Sequence, residues 1–142
     1  MPQIRKSVLV PYSVKQMFDL VENIEEYPRF LPWCGMSQVH SRDDEWTVAT
    51  LGIDYLGLRS AFTTENRKRP DSITLELKDG PFRNLTGGWR FIVLDEQACK
   101  VEFELEYEFS SRTLESLVGP VFGKIAATFV DAFVKQADRI YG

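Results

Sequence analysis

The sequence predicts an α+β fold, in which a seven-stranded antiparallel sheet packs one face against a long C-terminal helix. Six strand-like segments follow one another between residues 36 and 109 with short connections, which favours an antiparallel meander. Residues 101–109 alternate strictly between apolar side chains and glutamates, the pattern of a strand with one buried face. Residues 114–141 then carry apolar side chains at helical spacing, so this helix must cover the apolar face of the sheet.

The N-terminal part predicts a strand followed by two short helices. Residues 4–10 form the first strand, and Ser13 is a suitable N-cap for the helix that follows. Residues 24–30 predict a second short helical segment, because Pro28 and Pro32 prevent a longer one. The first strand can join the same sheet as the later ones.

The rest of the chain predicts six strands and the terminal helix. The glutamates of the last strand are expected on a solvated face of the sheet. Gly119 and Pro120 predict a kink or a break in the helix, because proline has no N–H to donate to the carbonyl of residue 116. The six predicted strands are residues 36–43, 46–57, 59–68, 72–79, 88–95 and 99–109.

Composition bounds the classes of function. A chain of 142 residues can bury a substantial core, and we expect one domain over residues 1–142. The net charge of −4 offers no overall attraction to DNA or anionic lipid. No run of about 20 apolar residues is present, so we expect at most peripheral membrane contact. Two thiols and the lack of a signal sequence favour a cytoplasmic protein. Any peripheral contact with the membrane is then expected at its inner face.

Two segments are candidates for the rim of a ligand cavity. The segment 24–35 contains Tyr27, Phe30 and Trp33 between prolines, and these aromatics either plug the end of the core or form a cavity rim. The segment 80–91 begins with a glycine-bounded apolar loop, predicted over residues 80–87, which folds over the sheet or over a bound molecule. Within it, Phe82 is the candidate lid or wall residue, whereas core packing is the favoured interpretation for Trp89.

Strand 46–57 is expected to turn its odd-numbered side chains, including Tyr55, towards the helix and Asp54 towards solvent. Phe62 on the next strand shares its face with Ser60 and Thr64, a mixed lining suited to a polar ligand head.

Catalytic and metal-binding patterns are weak. His40 is the only histidine and is expected on the surface, so no Ser/His/Asp or Cys/His arrangement can be assembled. Cys34, His40 and Cys99 lack the spacing of metal ligands. One basic run is either a solvated strand end or the first place to look for RNA contact. Its residues are Arg67, Lys68 and Arg69, with Arg59 upstream.

Motifs over almost the whole chain resemble the family of coenzyme Q-binding proteins and ribosome-association toxins (RatA). This family is a branch of the polyketide cyclase/dehydrase group with the START-like, Bet v 1-like helix-grip fold. The motifs are Tyr27-Pro28 with Phe30-Leu31-Pro32-Trp33-Cys34, Gly80-Pro81-Phe82 with Leu85, Gly87, Trp89 and Phe91, the apolar positions 103, 105, 107 and 109, Gly119-Pro120-Val121-Phe122 and Val130-Asp131-Ala132-Phe133.

The resemblance implies a sheet curled around the C-terminal helix, with a hydrophobic tunnel for ubiquinone or a related isoprenoid lipid. It also implies an alternative role, in which the protein binds the large ribosomal subunit and blocks subunit association. Cyclase chemistry is the least favoured role, and we expect a non-enzymatic protein that requires no cofactor. The candidate ligand-binding residues are Phe30, Leu31, Trp33, Tyr55, Phe62, Phe82, Leu85, Trp89, Phe122, Ile125 and Phe129.

Overall fold

A computed structural model describes residues 3–142 and confirms the predicted α+β helix-grip architecture. One seven-stranded antiparallel sheet is joined to a long C-terminal helix, and two short helices follow the first strand. The elements are β1 (Gln3–Val10), α1 (Val14–Glu22), a 3-10 turn (Ile24–Glu26), α2 (Tyr27–Phe30), β2 (Cys34–Arg42), β3 (Trp46–Tyr55), β4 (Leu58–Arg69), β5 (Ser72–Asp79), β6 (Phe82–Asp95), β7 (Ala98–Phe109) and α3 (Arg112–Tyr141).

The sheet follows chain order except at its first strand. The strand order is β1-β7-β6-β5-β4-β3-β2, so β1 pairs with the last strand along its full length, from Gln3 opposite Glu106 to Val10 opposite Cys99. Every neighbouring pair is antiparallel, as short connections require. Bulges in β2, β5 and β6 increase the bend of the sheet around α3.

Strand β7 confirms the predicted alternation between buried and solvated positions. Phe103, Leu105 and Tyr107 are buried against α3, whereas Glu104 and Glu106 are exposed on the other face. The glutamates on the outer face lie beside arginines of the neighbouring strands, as in the pair Arg5–Glu104 at 3.8 Å. The outer face is therefore a charged surface, and the apolar interior lies on the helix side.

The predicted loop over residues 80–87 is wrong, because β6 begins at Phe82. Its first residues pair with β7, with Phe82 opposite Phe109 and Leu85 opposite Tyr107. Gly87 in the middle of β6 is needed for close approach to the neighbouring strand, since a Cβ there would lie 2.1 Å from the carbonyl oxygen of Glu104. Gly87 therefore allows two neighbouring strands to approach closely and does not belong to a mobile loop.

Of the predicted kink or break at Pro120, the break does not occur, because α3 is continuous from Arg112 to Tyr141. Ser111 caps the helix by accepting a hydrogen bond from the Leu114 N–H at 3.1 Å. Pro120 and the residue whose carbonyl it leaves free, Ser116, are both exposed, so water can bond that carbonyl.

Helix α3 is long and apolar enough to cross a membrane by length and composition alone. Its apolar stripe packs on the sheet instead, as in the core helix of a folded domain. The buried residues of the stripe are Val118, Phe122, Ile125, Ala126, Val130, Phe133 and Ala137.

Helix α1 and the turn after it cover one end of the sheet. The Ser13 hydroxyl accepts from the Gln16 N–H, and the Gln16 side chain accepts from the Ser13 N–H, which forms a complete capping box. The hydroxyl of Tyr27 donates to the carbonyl of Val21, which holds α2 against the end of α1. These contacts position the last turn of α1 above the open end of the curved sheet.

Candidate ligand-binding cavity

A cavity of about 80 Å³ lies between the concave face of the sheet and α3, under the end of α1. Strands β3 to β7 form its floor, α3 forms its roof, and the segment 21–33 closes one end. The lining residues are Val21, Glu22, Ile24, Tyr27, Trp33, Ala49, Leu51, Phe62, Thr64, Asn66, Ile73, Leu75, Leu85, Trp89, Phe103, Leu105, Phe122, Ile125, Ala126 and Phe129.

Aromatic side chains form much of the cavity wall. Trp89 and Phe103 on neighbouring strands have ring centroids 4.7 Å apart, and Phe129 on α3 lies 5.6 Å and 5.3 Å from them. Trp33 reaches Phe129 from the segment before β2, at 5.8 Å. Such tilted aromatic contacts hold the rings in place, so the wall is a preformed apolar surface.

The polar part of the lining is small. Thr64 and Asn66 lie two residues apart on β4 and therefore share its inner face, where the Thr64 hydroxyl donates to Asn66 Oδ1 at 2.7 Å. Tyr27 is fully buried, and burial raises the pKa of its phenol above the ordinary value. The Tyr27 hydroxyl therefore stays protonated, and it donates its hydrogen bond to the Val21 carbonyl.

Glu22 is the charged residue of the lining. Its Oε1 accepts three hydrogen bonds, from Arg42 Nε at 3.0 Å, Thr47 Oγ1 at 2.9 Å and Lys68 Nζ at 3.1 Å. Its Oε2 is buried and has no hydrogen-bond partner in the structure. Arg42 also forms hydrogen bonds with the Glu25 carboxylate, which lowers the pKa of Glu25. The ion pairs therefore fasten the end of α1 to the sheet above the cavity.

The sequence indicated the apolar wall and the polar lining residue Thr64, but it did not indicate the carboxylate of Glu22. Glu22 is the last residue of α1, where the helix dipole disfavours a negative charge. This unfavourable position is the feature of the sequence that could have indicated a special role for Glu22. Of the predicted ligand-binding residues, those that line the cavity are Trp33, Phe62, Leu85, Trp89, Phe122, Ile125 and Phe129.

The other four predicted ligand-binding residues lie outside the cavity lining. Phe82 stacks on Phe109 at 4.9 Å, with its ring 5.1 Å from that of Phe122, so it supports the wall from behind and is not a lid. Phe30 packs on Phe133 of α3 at 5.1 Å. Leu31 is buried in the core, and Tyr55 is half-buried at the end of β3.

The predicted RNA-contact residues do not form one free basic patch. Arg67 pairs with Glu45 at 2.9 Å and lies over the Trp46 ring. The Lys68 side chain is only 9% exposed and pairs with Glu22. Arg59 lies eight residues before Arg67 on the same strand, about 27 Å away at 3.4 Å per residue. Arg69 is exposed at the end of β4.

Reactive groups outside the cavity are few. His40 is exposed and bonds the Thr50 hydroxyl at 2.6 Å. Cys34 is a buried free thiol, and burial raises its pKa to about 11. Within residues 3–142, no three His, Cys, Asp or Glu side chains are grouped so that they could hold a metal ion. A carboxylate at the cavity means that an acid/base residue is available there, so the absence of enzyme activity stays a prediction.

The match to a family model decides the family. Residues 10–134 match the model described as polyketide cyclase/dehydrase and lipid transport, which is most of the chain. The chain belongs to this family. A member from Vibrio cholerae, named ribosome association toxin RatA, is 43% identical over 100% of this chain and 99% of its own length.

Two further proteins of similar sequence or similar fold carry different names. A mitochondrial coenzyme Q-binding protein, COQ10 homolog B from Xenopus laevis, is 30% identical over 96% of this chain and 58% of its own length. The crystal structure of the Zhui aromatase/cyclase from a Streptomyces species superposes with a TM-score of 0.85, covering 97% of this chain and 94% of that one. At 14% identity this likeness shows the shared START-like fold alone.

Proposed function

We propose that this family member binds a hydrophobic ligand, ubiquinone or a related isoprenoid lipid, between the sheet and α3, without catalysing its conversion and without a cofactor. The observation that supports the proposal is the cavity, whose lining is apolar and aromatic except at the end near Glu22. Sites for small hydrophobic ligands have this composition, with a few polar groups that orient the ligand. The similarity to the mitochondrial coenzyme Q-binding protein favours a quinone as the ligand.

Ligand entry requires the cavity to widen. Its volume of about 80 Å³ is below the roughly 300–1,000 Å³ typical of sites for drug-sized ligands. The N-terminal half of α3 is the part of the roof that moves most easily, because Pro120 removes one helical hydrogen bond and Gly119 and Gly123 lower helix propensity. We therefore expect the ligand to enter by displacing this half of α3 from the sheet.

Tryptophan fluorescence provides the test. Trp33 and Trp89 line the cavity, whereas Trp46 stands on β3 outside the lining, so a Trp46→Phe variant restricts the signal to the cavity. Adding decylubiquinone should quench this variant with saturation, and mass spectrometry of solvent extracts of the purified protein should detect a quinone. Finding no lipid and no saturable quenching would argue against the proposal.

The second candidate function is association with the large ribosomal subunit, which would hinder subunit joining. The full-length similarity to proteins named ribosome association toxin favours it. The net charge of −4 offers no overall attraction to ribosomal RNA, and Arg67 and Lys68 are already paired within the protein, so we expect a surface other than this basic run to make the contacts. Both functions are compatible with a cytoplasmic protein, and a quinone ligand would add peripheral contact with the membrane.

Sucrose-gradient sedimentation tests this second function. Overexpression should lower the peak of intact ribosomes and bring the protein into the large-subunit fraction. An unchanged profile with the protein confined to the top of the gradient would exclude it.

A further inference from the structure

We propose that the ligand presents a hydroxyl group that donates a hydrogen bond to Glu22, so that the cavity binds a hydroxyaromatic, such as the reduced quinol form of the proposed ligand, more tightly than a ligand that only accepts. This inference rests on the proposed ligand-binding function and specifies its chemistry. A quinone carbonyl or an ether oxygen accepts hydrogen bonds but donates none, whereas a phenol or quinol hydroxyl donates.

The unpaired oxygen of Glu22 is the first observation. Lys68, Arg42 and Thr47 all donate to Oε1, and Oε2 has no partner although it is buried. A buried polar atom without a partner is costly, and the cost is larger for a charged group. Glu22 lines the cavity, so a group bound there is placed to satisfy this oxygen.

The use of the nearby hydroxyls is the second observation. The Tyr27 hydroxyl donates to the Val21 carbonyl, and the Thr64 hydroxyl donates to Asn66 Oδ1. Neither hydroxyl hydrogen is therefore free to bond a ligand carbonyl. Among the described residues that line the cavity, the side-chain donors left are the amide nitrogen of Asn66 and the indole nitrogens of Trp33 and Trp89, and any of them can donate to the oxygen of a ligand hydroxyl.

The ion pairs keep the carboxylate in position for this contact. Lys68 comes from β4 and Arg42 from β2, and both hold Oε1 from the sheet side. Because one oxygen is fully engaged, rotation of the carboxylate cannot satisfy the other without breaking these contacts. A donor on a bound ligand can therefore complete the bonding of Glu22 without disturbing the ion pairs.

A pair of probes that differ only in the donor tests the inference. These are para-pentylphenol and its methyl ether, para-pentylanisole, titrated against the tryptophan fluorescence of the Trp46→Phe protein. A hydrogen bond to a charged group predicts at least about tenfold tighter binding of the phenol. In Glu22→Gln the preference should fall below about threefold, because the amide can present a donor in place of the second acceptor.

Glu25→Gln is the matched control. It makes the same chemical change on a carboxylate that also bonds Arg42, but Glu25 is half-exposed and does not line the cavity, so the preference should be retained. Equal binding of both probes by the protein with Glu22 intact would overturn the inference while leaving the binding function in place, and this comparison does not depend on whether Glu22→Gln folds. A phenol preference that persists in Glu22→Gln would also overturn it. Binding of neither probe would instead count against the proposed function.

Discussion

Replacing Ala126 with leucine should fill the cavity without destabilising the protein. Ala126 faces the cavity from α3 and is 4% exposed. Leucine adds three carbon atoms, and burying each is worth about 0.8 kcal/mol, so filling existing space contributes up to about 2 kcal/mol. Helix propensity changes little, because leucine and alanine are both strong helix formers. We expect a free energy of unfolding between unchanged and about 2 kcal/mol higher.

Ala137→Leu is the control in a closely packed part of the same helix. Ala137 is fully buried and does not line the cavity, so the added carbons meet occupied space. Overpacking of this kind costs about 1–3 kcal/mol. The two variants make the same substitution on the same element, and the sign of their effects should differ because of the cavity alone.

Urea unfolding followed by far-ultraviolet circular dichroism measures both effects, and fluorescence titration with decylubiquinone measures binding. Ala126→Leu should weaken binding at least about tenfold, because the added side chain occupies the space of the ligand. Ala137→Leu should bind as the unmodified protein does under conditions where it is folded. If both variants lost the same stability and kept the same affinity, the space beside Ala126 would not be a ligand site.

Three further predictions concern close packing, the ion pairs and a buried thiol. Gly87→Ala should lower the free energy of unfolding by about 3 kcal/mol or more, because its Cβ would lie 2.1 Å from a backbone oxygen. Gly123→Ala, whose Cβ would have no atom closer than 3.8 Å, should raise the free energy of unfolding by up to about 1 kcal/mol. Equal urea midpoints for the two variants would contradict this prediction. Lys68→Met should lower stability by about 1–3 kcal/mol in urea unfolding, because it removes a buried donor from Glu22, and no loss would contradict the pairing. With a pKa of about 11, Cys34 should react with iodoacetamide at pH 8 about a hundredfold more slowly than a free thiol. The folded protein holds the thiol proton of Cys34 more tightly than the unfolded chain does. The contribution of Cys34 to stability should therefore be complete below about pH 9 and lost as the pH rises towards 11. A Cys34→Ala variant should lose less stability over that pH range.

The strand and helix patterns could be predicted because each depends on local periodicity. The alternation around Phe103 and Leu105 and the helical stripe that includes Phe122 define two apolar surfaces, and the curled antiparallel sheet around α3 buries both. The wrong predictions of a loop and of a helix break concern residue types that occur in more than one structural setting. Gly87 resembled a loop residue but allows close strand contact, and Pro120 resembled a helix break but lies on a solvated side.

The apolar wall of the cavity was also accessible to sequence analysis, since Trp89, Phe122 and Phe129 stand out in number and spacing. The charged end of the cavity, at Glu22, could not be predicted from the sequence. Glu22 and Lys68 are 46 residues apart in the chain and meet only because α1 folds over the end of β4. Phe82 is predicted as a lid or wall residue because the start of its strand cannot be recognised from the sequence, and its place behind the wall depends on pairing with β7.

The amino-acid sequence is enough to predict which surfaces of this protein are apolar and that a long helix covers the sheet. These predictions follow from side-chain periodicity, which depends on the local geometry of strands and helices. The cavity under α3 and the oxygen of Glu22 without a partner beside it can be seen only in the folded protein. Both depend on how side chains from distant segments fill a shared volume, and local periodicity carries no information about that volume.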